Sequence, residues 1–175
     1  RRGNLTLTNI NGLCRIALDK LKKTYEQDIQ EKNIRIVFDN LTLSLMMEVN
    51  VEQFSKVLAG ILKNSMYALL KKSETVTFSP EIFLGLKVNK DMLEITIRDN
   101  GSGIDENIKD KIFAPFFTTK TTGEAAGVGL YLCREIVQNH RGTIEVESKK
   151  GEYTQFLITI PVYQPKTITP PKEEE

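Results

Sequence analysis

The sequence is short of the residues that several kinds of chemistry require. Its 175 residues include two cysteines and one histidine. That set falls short of the four ligands of a structural zinc site and makes no convincing zinc constellation. Cys14 and Cys133 lie far apart, each among apolar residues at helical spacing. They are expected to be buried free thiols in a reducing compartment, not a disulfide. No apolar run nears the roughly 20 residues that cross a bilayer, and no secretory leader is visible. Neither charge is in excess: 24 Lys and Arg stand against 23 Asp and Glu. A nucleic-acid surface would need a basic surplus, so none is expected.

The remaining composition is that of a globular domain, 40% hydrophobic and 27% charged, and long enough for one core. The expected domain is 1–163. The chain opens in Arg-Arg-Gly with no initiator Met and closes in a tail rich in proline and glutamate. It is therefore expected to be a fragment, with residues 164–175 disordered.

Periodicity supplies the elements. Ile10, Leu13, Ala17, Leu21, Tyr25 and Ile29 recur at steps of three and four, which predicts one amphipathic helix over 10–30. Residues 34–38 and 41–49 read as strands. Phe54, Val57, Leu58, Ile61, Leu62 and Leu69 predict a helix over 51–71. Two alternating runs around Asn89-Lys-Asp91 predict a hairpin. A short helix over 105–112, a loop to about 126, a helix from Gly127 to His140 and strands at 143–147 and 154–161 complete the chain. This mixed order predicts a two-layer α/β sandwich, with helices on one face of the sheet.

Three features carry chemistry. Asp99 extends the alternation Leu93, Ile95, Ile97, so its carboxylate points to the buried face. Such a group needs hydrogen-bond donors; an adenine amine would serve, and so would the following turn, Asp99-Asn-Gly101-Ser-Gly103. Glycines there permit positive φ and close approach of backbone to a ligand. A second turn, Gly127-Val-Gly129, opens a helix whose free N–H groups and dipole favour a phosphate. Neither turn has P-loop or Rossmann spacing. Asn64 stands mid-helix beside the apolar stripe, where Asn is a poor helix former. It is either internally satisfied or a neutral oxygen ligand of the kind Mg²⁺ accepts.

These pieces, joined in order by Phe113-Ala-Pro-Phe-Phe-Thr-Thr-Lys120, closely resemble the ATP-binding catalytic domain of sensor histidine kinases. That group is related to gyrase-type topoisomerases, MutL-type repair proteins and chaperones. The resemblance covers about residues 4–162. It implies a mixed, mostly antiparallel five-stranded sheet under three main helices, with a mobile lid over ATP. In Leu58-Ala-Gly-Ile-Leu-Lys-Asn64-Ser-Met-Tyr-Ala68 it implies Mg²⁺ binding at Asn64 and places Tyr67 where many relatives have a phosphate-binding Lys. Asp99 would read the adenine amine, with Gly101, Gly103 and Ile104 beside the base. Phe116, Thr118, Thr119 and Lys120 would belong to the lid, although Lys120 reads equally as a solvated loop lysine. Gly127, Val128, Gly129 and Leu130 would cradle phosphates, and Thr154 would support Asp99.

The sequence also departs from the family pattern. Gly60 stands where histidine kinases often carry a second Asn and hydrolytic relatives carry a water-activating Glu, which argues against an ATP hydrolase. Ala125 and Ala126 replace the commoner Gly and Thr. The family implies ATP and Mg²⁺ as cofactors. It implies as partners a phosphoacceptor and dimerisation hairpin absent from this chain and a response regulator receiver domain, with a homodimeric parent. No membrane contact by this domain is expected, and its setting would be cytoplasmic, in a parent that is soluble or anchored to the inner membrane. His140, in a His-x-Gly turn, is expected to be structural, so the chain alone should not autophosphorylate. A non-catalytic nucleotide sensor and an anti-sigma-type serine/threonine kinase are the alternatives.

Overall fold

The computed structural model describes residues 4–115, 117 and 129–162. The chain starts with β1 (Thr6–Asn9), which passes directly into α1 (Ile10–Thr24). Asn9 caps that helix, its side chain accepting the Gly12 N–H at 3.0 Å. The helix expected over 10–30 is two helices. It breaks at Tyr25 (φ −111°, ψ 26°), and α2 (Glu26–Lys32) follows. Backbone bonds from Tyr25 N–H to Leu21 and from Ile29 N–H to Tyr25 run across the break. The apolar rhythm of Leu21, Tyr25 and Ile29 therefore continues through it, and periodicity alone conceals the kink.

β2 (Arg35–Asp39) lies parallel to β4 (Glu81–Asn89). β4 turns through Lys90, in the left-handed region at φ 56°, into antiparallel β5 (Met92–Asp99). β7 (Tyr153–Pro161) pairs with β5 and with β6 (Thr143–Lys149), both antiparallel, giving the order β2-β4-β5-β7-β6. This is the expected mixed five-stranded sheet. The strand expected over 41–49 is only β3 (Met46–Val49), and it pairs with β1 in a separate two-stranded sheet that periodicity did not suggest. Asn11 explains the shortening. Its amide group accepts from Leu41 N–H at 3.0 Å and donates to Leu41 C=O at 3.1 Å, so a side chain takes up backbone groups that a ladder would have used. The short helix expected over 105–112 is α4 (Glu106–Lys109), capped by Asp105.

α3 (Val51–Ser73) is the central helix. Phe54, Val57, Leu58, Ile61 and Leu62 are buried, as are Ile82 and Leu84 of β4, Leu93, Ile95 and Ile97 of β5, and Ile158 and Ile160 of β7. α1 packs on one side of α3 and α5 (Leu130–Asn139) on the other. His140, at the end of α5, ties these two helices together. Its Nε2 accepts the Asn50 N–H at 3.0 Å, at the head of α3. That bond assigns the ring proton to Nδ1, which donates to Ile136 C=O at 2.7 Å. The ring also stands edge-on to Phe54, with centroids 5.4 Å apart. Among the described residues no helix is long and apolar enough to cross a membrane.

Candidate functional site

Alternation along β5 delivers Asp99 to the helix-facing side at the strand's end, 2% exposed. Burial pushes its carboxyl up from 3.8 to about 7. The N–H of Gly101, donating to Oδ1 at 2.9 Å, pulls the other way. So do the nearby Ser65 hydroxyl and the charges of Lys72 and Arg98. The carboxylate is thus buried with a single good hydrogen bond, an arrangement that favours a further donor.

The turn after Asp99 is seated on protein at both glycines. A Cβ at Gly101 would lie 2.6 Å from the backbone carbon of Ala68 in α3. Gly103 has φ +66°, and a Cβ there would approach the Lys149 carbonyl of β6 even more closely. The Ser102 N–H donates to Ala68 C=O at 3.1 Å, and its carbonyl accepts from Gly151 N–H at 2.6 Å. Close packing of chain on chain is therefore enough to require both glycines. Positive φ, one of the two reasons the sequence suggested, holds at Gly103, and ligand approach, the other, is not needed to explain either glycine.

Thr154 of β7 pairs in register with Asp99 and is 5% exposed. Its hydroxyl lies 2.9 Å from the Ser148 hydroxyl of β6. Ser148 gives its own proton to Tyr153 C=O at 2.7 Å, so Thr154 is the donor of that pair. Ser148 also accepts the Ile104 N–H at 2.8 Å, fixing the far end of the glycine turn. Asn100 clamps the near end, accepting from Glu81 N–H and donating to Ser79 C=O, both at 2.8 Å. Lys72 reaches over from α3 to donate to Asn100 C=O at 3.0 Å. Sequence reasoning missed Ser148 and Asn100, because partners 19 to 28 residues from Asn100, and Ile104 44 residues from Ser148, leave no local pattern.

Asn64 lies one turn before Ala68 on α3, half-buried, and its amide has no hydrogen-bond partner among the described residues. The internally satisfied alternative therefore has no support. Tyr67, half-buried, has the Lys71 ammonium 5.9 Å from its ring centroid. At the other side of the site, Gly129 caps α5 with no side-chain hydrogen bond and no acidic residue in the first turn. A Cβ at Gly129 would meet nothing within 4 Å among the described residues. Leu130 begins that helix and is half-buried against the core. No side chain caps the start of α5 among the described residues, and such a helix start favours an anion. Phe113 packs edge-on to Phe156, with Arg134 5.7 Å above its ring. Phe116, Thr118, Thr119, Lys120, Ala125, Ala126, Gly127 and Val128 lie outside the described residues, as does the 164–175 tail.

A buried strand-end carboxylate, an amide unpartnered among the described residues on the adjoining helix and a helix start with no side-chain cap among them stand over the mixed sheet of an α/β sandwich. The family model described as histidine kinase-, DNA gyrase B-, and HSP90-like ATPase matches residues 50–164, and the chain belongs to that family. Within it the similarity runs to the ATP-binding catalytic domains of sensor histidine kinases. The catalytic domain of histidine kinase ThkA superposes with a TM-score of 0.73 at 28% identity, over 90% of this chain and 95% of that one. ThkA in complex with the response regulator protein TrrA gives 0.66 at 25% identity, over 91% of this chain and 42% of that one. Cyanobacterial phytochrome A of Nostoc sp. is 35% identical over 149 residues, and sensor histidine kinase ZraS of Salmonella typhi is 28% identical over 158. These alignments cover 83% and 90% of this chain but only 18% and 31% of the two relatives.

Proposed function

We propose that this domain positions Mg·ATP and delivers its γ-phosphoryl group to a histidine on a separate helical hairpin of a homodimeric parent, for onward transfer to a response regulator receiver domain. The observation that carries this reading is the pairing of two unmet needs across one glycine turn: a buried Asp99 short of donors and an unpartnered Asn64 amide. An adenine amine supplies the first and a hydrated cation the second.

Asn64 fits magnesium, which takes one or two protein oxygens and completes its shell with water and phosphate. No group of three or more acidic, histidine or cysteine side chains is gathered among the described residues, and this ion does not require one. Bound magnesium would neutralise charge on the triphosphate. The chain's own residues do the rest. Asp99 and Thr154 select and hold the base. The turn from Gly101 to Ile104, braced by Ser148, shapes the wall beside it. The N-terminus of α5 at Gly129 and Leu130 receives phosphate oxygens, and Phe116, Thr118, Thr119, Lys120, Gly127 and Val128 are the further residues assigned to the nucleotide. Hydrolysis is disfavoured, because buried Gly60, one turn before Asn64, offers no base to water. A cytoplasmic setting agrees with the two buried free thiols, Cys14 and Cys133.

The test is to incubate the full-length parent with γ-labelled ATP. Acid-labile phosphohistidine is expected, and it should transfer to a receiver domain. Asn64→Ala should remove the Mg²⁺-dependent gain in ATP affinity and the transfer together, with little change in stability. ATP binding without any phosphohistidine would overturn the kinase reading in favour of a nucleotide sensor.

A further inference from the structure

Ser65 follows Asn64 in α3 and faces the core, 1% exposed. Among the described residues its Oγ has no hydrogen-bond partner. A buried hydroxyl left this way destabilises the fold, and native structures rarely leave one without a reason. Its polar neighbour is Asp99, whose ionisation it already eases without forming a hydrogen bond of ordinary geometry.

The other protons around that carboxylate are committed. The Gly101 N–H is held by Oδ1. The Thr154 hydroxyl proton goes to Ser148, whose own proton goes to Tyr153 C=O. Ser65 therefore holds the one uncommitted hydroxyl proton beside Asp99 among the described residues. We propose that Ser65 is a positioning residue for adenine recognition, giving that proton to the Asp99 carboxylate in its ionised form, the form that the purine amine engages. The inference rests on the nucleotide assignment above.

In the empty pocket Asp99 has one hydrogen bond of good geometry, from Gly101, and only a weak interaction with Ser65, and is easily protonated. With the amine and Ser65 added it has three, and a carboxylate accepting two or three hydrogen bonds is held in its charged form. Ser65 then acts as a latch that favours the state able to accept from adenine. The charged groups bearing on Asp99 are Lys72 of α3 and Arg98 of β5. Its register partners on the neighbouring strands are uncharged, Thr154 on β7 and Ile82 on β4.

The experiment titrates the full chain and its Ser65→Ala variant with ATP, and with purine riboside triphosphate, which lacks the 6-amino group, from pH 6 to pH 9. The variant should bind ATP about five- to tenfold more weakly at pH 7, the worth of one hydrogen bond to a charged acceptor. The deficit should shrink below about twofold at pH 9, where Asp99 is ionised without help. The two proteins should bind the analogue equally. Without nucleotide, the variant should melt no lower than the parent, since it has shed an unpaired polar group. A deficit equal at every pH and for both nucleotides, no deficit at all, or a lower melting point would each assign Ser65 to packing and overturn the inference. Failure of the parent chain to bind ATP would instead remove the nucleotide assignment itself.

Discussion

Replacing Asp99 with asparagine separates what this residue costs the fold from what it gives the ligand. Asparagine keeps the shape and cannot ionise. In the empty domain the Asp99 carboxyl titrates near 7, against 3.8 for an unperturbed group. A folded-state value above the unfolded one means that the native domain holds this proton more tightly. The associated stability is complete below about pH 4 and is lost as pH rises through 7. The difference is worth roughly 4 kcal/mol, at about 1.4 kcal/mol per pH unit of displacement. Asp99→Asn should therefore lack that decline and be the more stable protein at pH 8. For ATP the sign reverses. Binding needs the ionised acceptor, so the parent's affinity should fall up to tenfold per pH unit below about 7. The variant should be weaker by about 10- to 150-fold at pH 8, the loss of a charge-assisted hydrogen bond of roughly 1.5–3 kcal/mol. Urea denaturation and calorimetric titration of both proteins from pH 4 to 9 measure these effects, and the titration of ATP itself cancels between them. Parallel stability curves from pH 4 to 8, or unchanged affinity in the variant, would refute the reasoning.

Two further perturbations test the frame around the site. Gly101→Ala should cost about 1–3 kcal/mol, because its Cβ would meet the α3 backbone at 2.6 Å. Gly129→Ala, at φ −59° with nothing within 4 Å among the described residues, should stay within about 0.5 kcal/mol; chemical denaturation compares the two. His140→Ala should lower stability by about 2–4 kcal/mol, because it leaves the Asn50 N–H without its partner, removes the side-chain bond to the Ile136 carbonyl and opens space beside Phe54. The same denaturation measurement checks it, and a loss below about 1 kcal/mol would contradict the bridging role.

The sequence revealed those parts of the molecule in which one element's own spacing decides its structure. The apolar stripe from Phe54 to Leu69 marked α3 to within two residues, and the alternation ending at Asp99 put that carboxylate on the correct face. The misses share one cause. β1 is Thr-Leu-Thr-Asn, with no apolar alternation, and it becomes a strand only because Met46–Val49 lies beside it. The 41–45 stretch is apolar enough for a strand, yet Asn11, thirty residues earlier, ties down its first residue. Within the site, Asn64, Asp99 and the glycines stood out because each breaks a local rule. Ser65, Asn100 and Ser148 break none, and their roles are set by partners that only the fold brings near.

The seating of the glycine turn has a consequence for how the domain responds to ligand. Ser102 is bonded on one side to α3 and on the other to the loop between β6 and β7, so the turn cannot open without disturbing both the central helix and the sheet edge. The base-reading end of the site then belongs to the same cooperative unit as the core and does not flicker open by itself. Free energy gained at Asp99 is shared with the whole domain, and its amides should gain protection from hydrogen exchange together, far from the base as well as beside it.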